Sequence, residues 1–585
     1  MQSILSQLDT AFRTAIRNAF NVDADPAIAP SATDKFGDYQ SNAAMGLAKT
    51  LPEKSNPRQV AEKIKASLQL GEMISEEPTI AGPGFINIKL NPLWLTSLLQ
   101  QAGSDPHLGV EKTTNPQTVV IDYSGPNIAK QMHVGHLRST IIGDAISRVI
   151  EFQGDNVIRQ NHIGDWGTQF GMLTAYYGLA GTTSPVFKQE GDATMIVGSV
   201  IPDLEAFYRE AKKLFDTVPE FQEQARKNVV LLQAGNPILR DDWTNIVNAS
   251  RHHFDELYGR LNVKLERKDE RGESAYNSEL PKVVEELKSK SIAVESEGAI
   301  VVFADGPDKA PLIIKKSDGG YLYGTTDLAA IRYRINELHA NRIIYTHDSR
   351  QAQHFRQVFD TARKASWTRG DEVKLDYAPF GTMLGEDGKP FKSRSGDTIK
   401  LKELLDEAEE RALKVVTDKN PELLEAQRKD IARAIGIGAV KYADLSKDRI
   451  SDYVFSWDKM LAMDGNTAPY LQYVYARIRS IFRKAGDVNL SDTTIKLDTP
   501  YEVSLAKHLL RLGEVIESVA RELKPHLLCT YLYDLATRFS SFYENCPVLK
   551  SEEPLRSSRL ALSDLTARTM GLGLDLLGIE HPEQM

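Results

Sequence analysis

Hydrophobic residues recur every fourth position at Ile4, Leu8, Phe12, Ile16 and Phe20, which predicts an amphipathic helix at the start of the chain. A polar and aromatic stretch, Asp34 to Asn42, leads to a second helical pattern. Ile86, Ile88 and Leu90 then alternate with polar neighbours behind a Gly-Pro turn, as a strand does. The polar, proline-containing run from Gly103 to Gln117 reads as a linker, so a small α/β domain is expected over 1–108. Beyond it, Val119 to Tyr123 is a short apolar run. The segment Leu137 to Phe152 repeats Leu137, Ile141, Ala145 and Val149 at intervals of four with three isoleucines alongside, and Asn156 to Arg159 is again strand-like. That succession is a βαβ unit, and the helix has the broad apolar face that lies on a parallel sheet.

Further strand-like runs at Ala299 to Phe303, Leu312 to Lys315 and Arg342 to Tyr345 alternate with helical patterns and extend the prediction to a doubly wound parallel-sheet α/β domain over 109–450. Its ligand is expected at the carboxyl ends of the strands. The stretch 178–267 is charged and helical in period, which predicts a helical insertion. From residue 451 to 585 nearly every segment has helical period, including Leu505 to Leu523, Leu527 to Tyr543 and Ser557 to Leu577. An all-α C-terminal bundle follows.

Composition adds limits. A chain of 585 residues, 41% hydrophobic and 26% charged, is an ordinary globular protein of about three or four domains. It has no apolar run of membrane length, and Asp9 and Arg13 interrupt the N-terminal hydrophobic stretch, so neither a signal peptide nor a span is expected. Two cysteines, Cys529 and Cys546, point to a reducing compartment, and the expected location is the cytoplasm. A net charge of −9 argues against holding nucleic acid by bulk attraction but leaves room for local basic faces.

The chemistry is concentrated at His133-Val134-Gly135-His136, where the loop after the first strand turns into the helix. Imidazoles beside the unpaired amides of a helix N-terminus form an anion site, and Gly135 keeps a side chain out of a nucleotide's way. A phosphate ester is the expected guest. Zinc ligation and plain capping are the other uses of two histidines three apart, but no Cys or third His lies nearby in sequence to complete a tetrahedral set. A second, glycine-punctuated loop, Gly381 to Gly396, carries Lys389, Lys392, Ser393 and Arg394. It fits a polyphosphate as well as it fits a solvated turn, and it is not a Walker loop, because proline follows Lys389.

The paired loops resemble the HIGH and KMSKS signatures of class I aminoacyl-tRNA synthetases. Ser124 to Lys130, His136 to Thr140, Gly272-Glu273-Ser274, Gly465 to Tyr473 and Leu576 to Ile579 together resemble the arginyl-tRNA synthetase family, and the segment around Phe36-Gly37-Asp38-Tyr39-Gln40 resembles its extra N-terminal domain. The resemblance implies a Rossmann-like, HUP-type catalytic domain. It also implies two steps: arginine attacks the α-phosphorus of ATP to release pyrophosphate, and the acyl group passes to the terminal ribose of tRNA(Arg). Mg²⁺ arrives with ATP, no tightly bound cofactor or dedicated metal site is implied, and the enzyme is expected to be a monomer without a hydrolytic editing domain.

By the same resemblance, His133 and His136 donate to the α-phosphate, Gly135 and Ser393 border the nucleotide, and Lys130, Lys389, Lys392 and Arg394 hold the β- and γ-phosphates. One departure is visible: Phe391 and Arg394 stand where the strict signature has lysines, and Lys130, three residues before His133, is expected to supply the missing charge. Arginine needs carboxylates, since its guanidinium is a permanently charged planar fork. Asp122, Ser124, Asn127, Tyr323, Asp327 and Gln351 are expected to line its pocket. Phe36, Tyr39, Gln40 and Asn42 are expected to touch the tRNA corner, with Tyr470, Tyr473, Arg477 and Met585 near the anticodon. The apolar stripe Leu471, Val474, Ile478 and Ile481 fits a core helix equally well. The rival readings are another class I ligase, such as the glutamyl or glutaminyl enzymes, and a non-catalytic tRNA-binding paralogue.

Overall fold

A computed structural model describes the chain except for residues 32, 52–55, 181–184, 191–192, 200–203, 307, 392–398 and 491–492. It divides into two compact units. One comprises Met1–Thr113, Ala462–Leu576 and His581–Met585; the other comprises Thr114–Leu461 and Leu577–Glu580. The N- and C-terminal segments, expected as separate domains, therefore share a unit.

In the first unit the opening helix spans Ile4–Phe20, with Ile4, Leu8, Phe12 and Ile16 buried, and Ser3 caps it by accepting from Ser6 N. An antiparallel sheet follows, in the order Ile28–Pro30, Tyr39–Ser41, Phe85–Ile88, Thr79–Ala81. The C-terminal helices Ala468–Ala485, Pro500–Leu509, Leu512–Glu522, His526–Asn545 and Leu555–Leu576 form the expected bundle. Charged and polar bonds fasten the N-terminal part to them: Lys507 to Asp38 at 2.5 Å, Leu5 N to Glu514 at 3.1 Å and Arg568 to the Gly103 carbonyl at 2.7 Å.

The second unit is built on a four-stranded parallel sheet in the order Lys374–Tyr377, Arg342–Tyr345, Thr118–Asp122, Asn156–Gln160. The βαβ unit read from the sequence is its centre, with the crossover helix at Val134–Phe152. Two of the strand-like runs lie elsewhere. Ala299–Val302 and Leu312–Lys315 pair antiparallel with each other, and Val294–Ser296 completes a separate three-stranded sheet. The short connection between Val302 and Leu312 is the reason, since a parallel crossover needs a dozen residues or more. The insertion is helical at Leu204–Thr217, Pro219–Gln233 and Pro237–Arg260, but an antiparallel pair, Pro185–Glu190 with Ala193–Ser199, precedes those helices.

A close approach holds the crossover helix on the sheet. Gly143 lies so near Tyr123 that an added Cβ would stand 2.3 Å from the Tyr123 Cβ. Within the same helix, Arg148 pairs with Asp144 at 2.7 Å. Beside that pair the buried Lys441 donates to the carbonyls of Leu261 and Gly578, both at 2.6 Å. Burial pushes the Lys441 ammonium down to about 7, although Asp144 pulls the other way.

Candidate active site

Strand Thr118–Asp122 ends in a turn whose backbone is left-handed at Ser124 (φ 74°), Gly125 (φ 54°) and Ala129 (φ 63°). A non-glycine residue holds that conformation only when its surroundings enforce it, and here hydrogen bonds do so. Ser124 N donates to Ser139 Oγ at 2.9 Å, Thr140 Oγ1 donates to Ser124 Oγ at 2.9 Å, and the Tyr258 hydroxyl lies 2.7 Å from Ser124 Oγ. Asn161 takes Gly125 N at 3.0 Å and gives its own amide to Tyr258, while Ala129 N donates to Ser250 Oγ at 2.9 Å. Tyr258 and Ser250 both belong to the insertion helix Pro237–Arg260, so the insertion braces the loop.

His133 is the N-cap of the crossover helix. Its Nδ1 accepts from Gly135 N at 3.0 Å, and His136 Nδ1 accepts from His133 N at 3.1 Å. Both δ-nitrogens are thereby acceptors, so each neutral ring carries its proton on Nε2. Burial, with the neighbouring cation Lys130, pushes His133 below the usual imidazole range; burial and His133 push His136 down to about 3. These are neutral donors. Gly135 serves the ring before it serves any ligand, because a Cβ there would sit 2.8 Å from His133 Cε1. Lys130 is exposed, with its ammonium 5.2 Å from the Tyr208 ring centre.

The late loop is joined to this one by backbone. Val134 N donates to the Ile399 carbonyl at 3.2 Å and Leu401 N to the Met132 carbonyl at 2.9 Å, which pairs His133 with Lys400 just before helix Leu401–Lys419. On the outgoing side, Met383–Leu384 pairs with Tyr453–Val454, Phe391 N donates to the Met383 carbonyl at 3.0 Å, and the Phe391 ring lies 4.6 Å from that of Phe455. Phe391 is thus a packing residue. Lys389 is exposed in the turn Gly385–Lys389, and Lys392, Ser393 and Arg394 lie outside the described residues. Arg138, on the crossover helix behind the histidines, reaches the segments around Phe380 and Tyr453. Fully buried, it pairs with Asp444 at 2.9 Å, donates to the carbonyls of Ser451 and Arg449, and lies against Phe380 and Tyr453.

Beside the strand ends is a cluster of acids and imidazoles. Asp122 is 2% exposed, and its Oδ2 accepts from Arg334 Nη2 at 2.6 Å. Burial opposes its charge, yet Arg334 and His347, the latter 3.6 Å from Oδ1, hold the carboxyl well below the usual range. Asp122 was expected to offer that charge to arginine; instead, it is spent on an internal guanidinium. Asp327 lies on helix Tyr323–Asn336, with Oδ2 2.6 Å from His354 Nε2, and the exposed Tyr323 ring stands 4.7 Å from His354. Gln351, exposed, precedes helix Ala352–Lys364, and Asn127, also exposed, fills the space that Gly164 leaves open.

A further acid stands in the turn Gly272-Glu273-Ser274. Glu273 is pushed up to about 7 by burial and then by the charges of Asp327 and Asp165. Its turn is fixed from behind: Asp165 accepts from Ser274 N at 2.9 Å and Ser274 Oγ at 2.7 Å, and a Cβ on Gly272 would meet that carboxylate at 2.1 Å. The only sequence signal was the Gly-Glu-Ser context, since an isolated glutamate carries no periodicity.

In the other unit, the residues expected to meet RNA divide. Phe36 is 40% exposed and Tyr473 is 42% exposed. Tyr39 is a correction: it is 2% exposed, and its hydroxyl donates to Glu514 at 2.5 Å, so it is a packing residue of the sheet. Gln40 donates to Asn87 at 2.7 Å, and Asn42 precedes helix Ala43–Thr50, with its Oδ1 buried. On helix Ala468–Ala485, Tyr470 meets Tyr533 edge-on and the Arg477 guanidinium lies 4.6 Å from the Tyr543 ring centre. Glu583, two residues before the half-buried Met585, pairs with Arg479 at 3.1 Å and takes Arg483 on its carbonyl. Among the described residues, no helix is long and apolar enough to cross a membrane.

Three family profiles match the chain in order. They are described as the arginyl tRNA synthetase N terminal domain over residues 6–90, tRNA synthetases class I (R), catalytic domain, over 96–457, and the DALR anticodon binding domain over 471–585. The chain is 51% identical to the arginine–tRNA ligase of Hahella chejuensis, with all of both chains covered, and 52% identical to that of Proteus mirabilis, with 96% of each covered. Among solved structures, the arginyl-tRNA synthetase of Plasmodium falciparum matches with a TM-score of 0.85 at 32% identity, covering 100% of both chains. That of Thermus thermophilus matches at 0.81 and 26%, covering 99% of this chain and 100% of the other.

Proposed function

The chain belongs to the class I arginyl-tRNA synthetase family, and on that premise we propose how its residues divide the work. The reaction attaches arginine to tRNA in translation and uses ATP. The observation that carries the assignment is the backbone pairing of Met132–Val134 with Ile399–Leu401, which fastens the return of the lysine loop to the imidazoles. His133 and His136, neutral and with Nε2–H free of the helix, donate to the α-phosphate as its charge grows. Lys130, Lys389, Lys392 and Arg394 neutralise the departing pyrophosphate, with Gly135 and Ser393 beside the nucleotide. Mg²⁺ enters with ATP as part of the substrate.

Arginine is selected by two carboxylates, Asp327 and Glu273, with Tyr323, Asn127, Ser124 and Gln351 around them. Asp122 acts one step back, by holding Arg334 and the end of the strand. A pocket whose buried acids would be left unpaired by the wrong side chain discriminates by about 10⁴ or more without editing. The tRNA(Arg) partner is met by Phe36, Gln40 and Asn42 at its corner and by Tyr470, Tyr473, Arg477 and Met585 near the anticodon. The protein acts as a monomer in the cytoplasm, where its two buried free cysteines stay reduced. ATP–pyrophosphate exchange with each of the twenty amino acids, with and without tRNA, is the test. Exchange supported by arginine alone is expected; exchange with another amino acid and not arginine overturns the specificity, and none under any condition favours a non-catalytic tRNA-binding protein.

A further inference from the structure

Three acids surround the amino-acid cluster, and they differ in what occupies them. Asp122 is held by Arg334. Glu273 has, among the described residues, no cation paired with its side chain, and its backbone is pinned through Ser274 to Asp165. Asp327 is intermediate: Oδ2 is bound to His354 Nε2 at 2.6 Å, and among the described residues Oδ1 makes no hydrogen bond. Both side chains of that pair are mostly buried, at 14% and 15% exposure. The His354 ring is itself boxed, with Tyr323 at 4.7 Å on one side and Phe355 edge-on at 5.3 Å on another.

A carboxylate held through one oxygen cannot spin about its Cβ–Cγ bond, so the plane and direction of its free oxygen are fixed. That matters differently for different cations. A guanidinium is a flat fork whose N–H bonds lie in one plane, and it gains most from acceptors already in that plane; an ammonium is a point charge with three rotatable donors and is nearly indifferent to the carboxylate's twist. We propose that His354 is a positioning residue that locks the Asp327 carboxylate in the plane a guanidinium requires, and so sets the preference for arginine over other cationic amino acids. The inference rests on reading this cluster as the arginine site. Because Asp327 belongs to helix Tyr323–Asn336 and His354 to Ala352–Lys364, the lock also ties the pocket's acid to a neighbouring helix of the same core.

The test is His354→Ala beside His354→Gln, whose amide nitrogen reaches nearly as far as Nε2. Exchange kinetics are measured with arginine and with lysine. In His354→Ala, KM for arginine is expected to rise about ten- to a hundredfold with kcat little changed, the cost of a misplaced polar contact. The weak activity with lysine is expected to stay nearly constant, so that the arginine-to-lysine ratio of kcat/KM falls by the same factor, and His354→Gln restores most of it. Thermal unfolding of each variant reports folding, and arginine binding to folded His354→Gln by calorimetry serves if the alanine variant does not fold. An unchanged arginine KM, an equal fall for both amino acids, or a glutamine variant no better than alanine overturns the proposal. Absence of arginine-dependent exchange in the unaltered protein instead overturns the functional reading beneath it.

Discussion

Arg334 Nη2 stands 2.6 Å from Asp122 Oδ2, with the arginine inaccessible to solvent and the aspartate nearly so, and the same guanidinium donates through Nε to Gln160 at 2.6 Å. The pair joins helix Tyr323–Asn336 to the ends of two adjacent sheet strands. Arg334→Met leaves a buried carboxylate unpaired and is expected to cost about 3–5 kcal/mol in urea unfolding. The native Asp122 carboxyl lies below its ordinary 3.8, so its contribution is present above that pH and is lost as pH falls through the native value. The variant is expected to lose that part of the acid limb.

Neutral imidazoles make a different pH prediction. His136 lies at about 3, so the unfolded chain takes up a proton below 6.5 that the native protein refuses, and stability declines as pH falls from 6.5 toward 3. His136→Gln is expected to flatten that decline in acid-unfolding curves. Pyrophosphate exchange by the unaltered protein is expected to show no loss assignable to His136 between about pH 5 and 9. Exchange in the variant falls roughly a hundredfold or more through the lost donor.

Glu273 titrates where the protein works. With its carboxyl pushed up to about 7 by burial and by Asp327 and Asp165, Glu273 holds a proton into the neutral range, and an arriving guanidinium drives that proton off. Calorimetry in two buffers of different ionisation heat is expected to show proton release on arginine binding, and affinity that rises as pH increases through 7. Glu273→Gln removes both effects and weakens arginine about a hundredfold.

Legibility differed by kind of signal. Periodicity reported the crossover helix and the strands beneath it because burial on a sheet imposes a repeat that a single chain displays. It failed for Ala299–Val302 and Leu312–Lys315, where a strand's composition is the same whether its neighbour is parallel or antiparallel and only the length of the connection decides. The histidine loop was legible as a motif. Asp122 was legible as an important acid but its partner was not, because Arg334 is 212 residues further on and nothing local announces it. Tyr39 failed for a related reason: an aromatic in a polar stretch looks exposed until the chain returns with Glu514 to cover it.

Lys441 gives a prediction with the same slope at higher pH. Its native pKa of about 7 lies below the 10.5 of an unburied lysine, so between those values the unfolded chain holds a proton that the native one lacks, and stability rises with pH across that range. Lys441→Met is expected to remove this rise in urea unfolding measured from pH 7 to 10. It also orphans the Leu261 and Gly578 carbonyls, which lowers stability by about 1–3 kcal/mol at the alkaline end.

The two hydrogen bonds between Met132–Val134 and Ile399–Leu401 mean that the histidine loop and the start of helix Leu401–Lys419 move together. A residue change that rolls or slides helix Leu401–Lys419 tugs on the peptide groups flanking His133, so a lesion in a helix that touches no substrate is felt as a misaimed imidazole. The pair is best regarded as one mechanical component assembled from two distant pieces of chain.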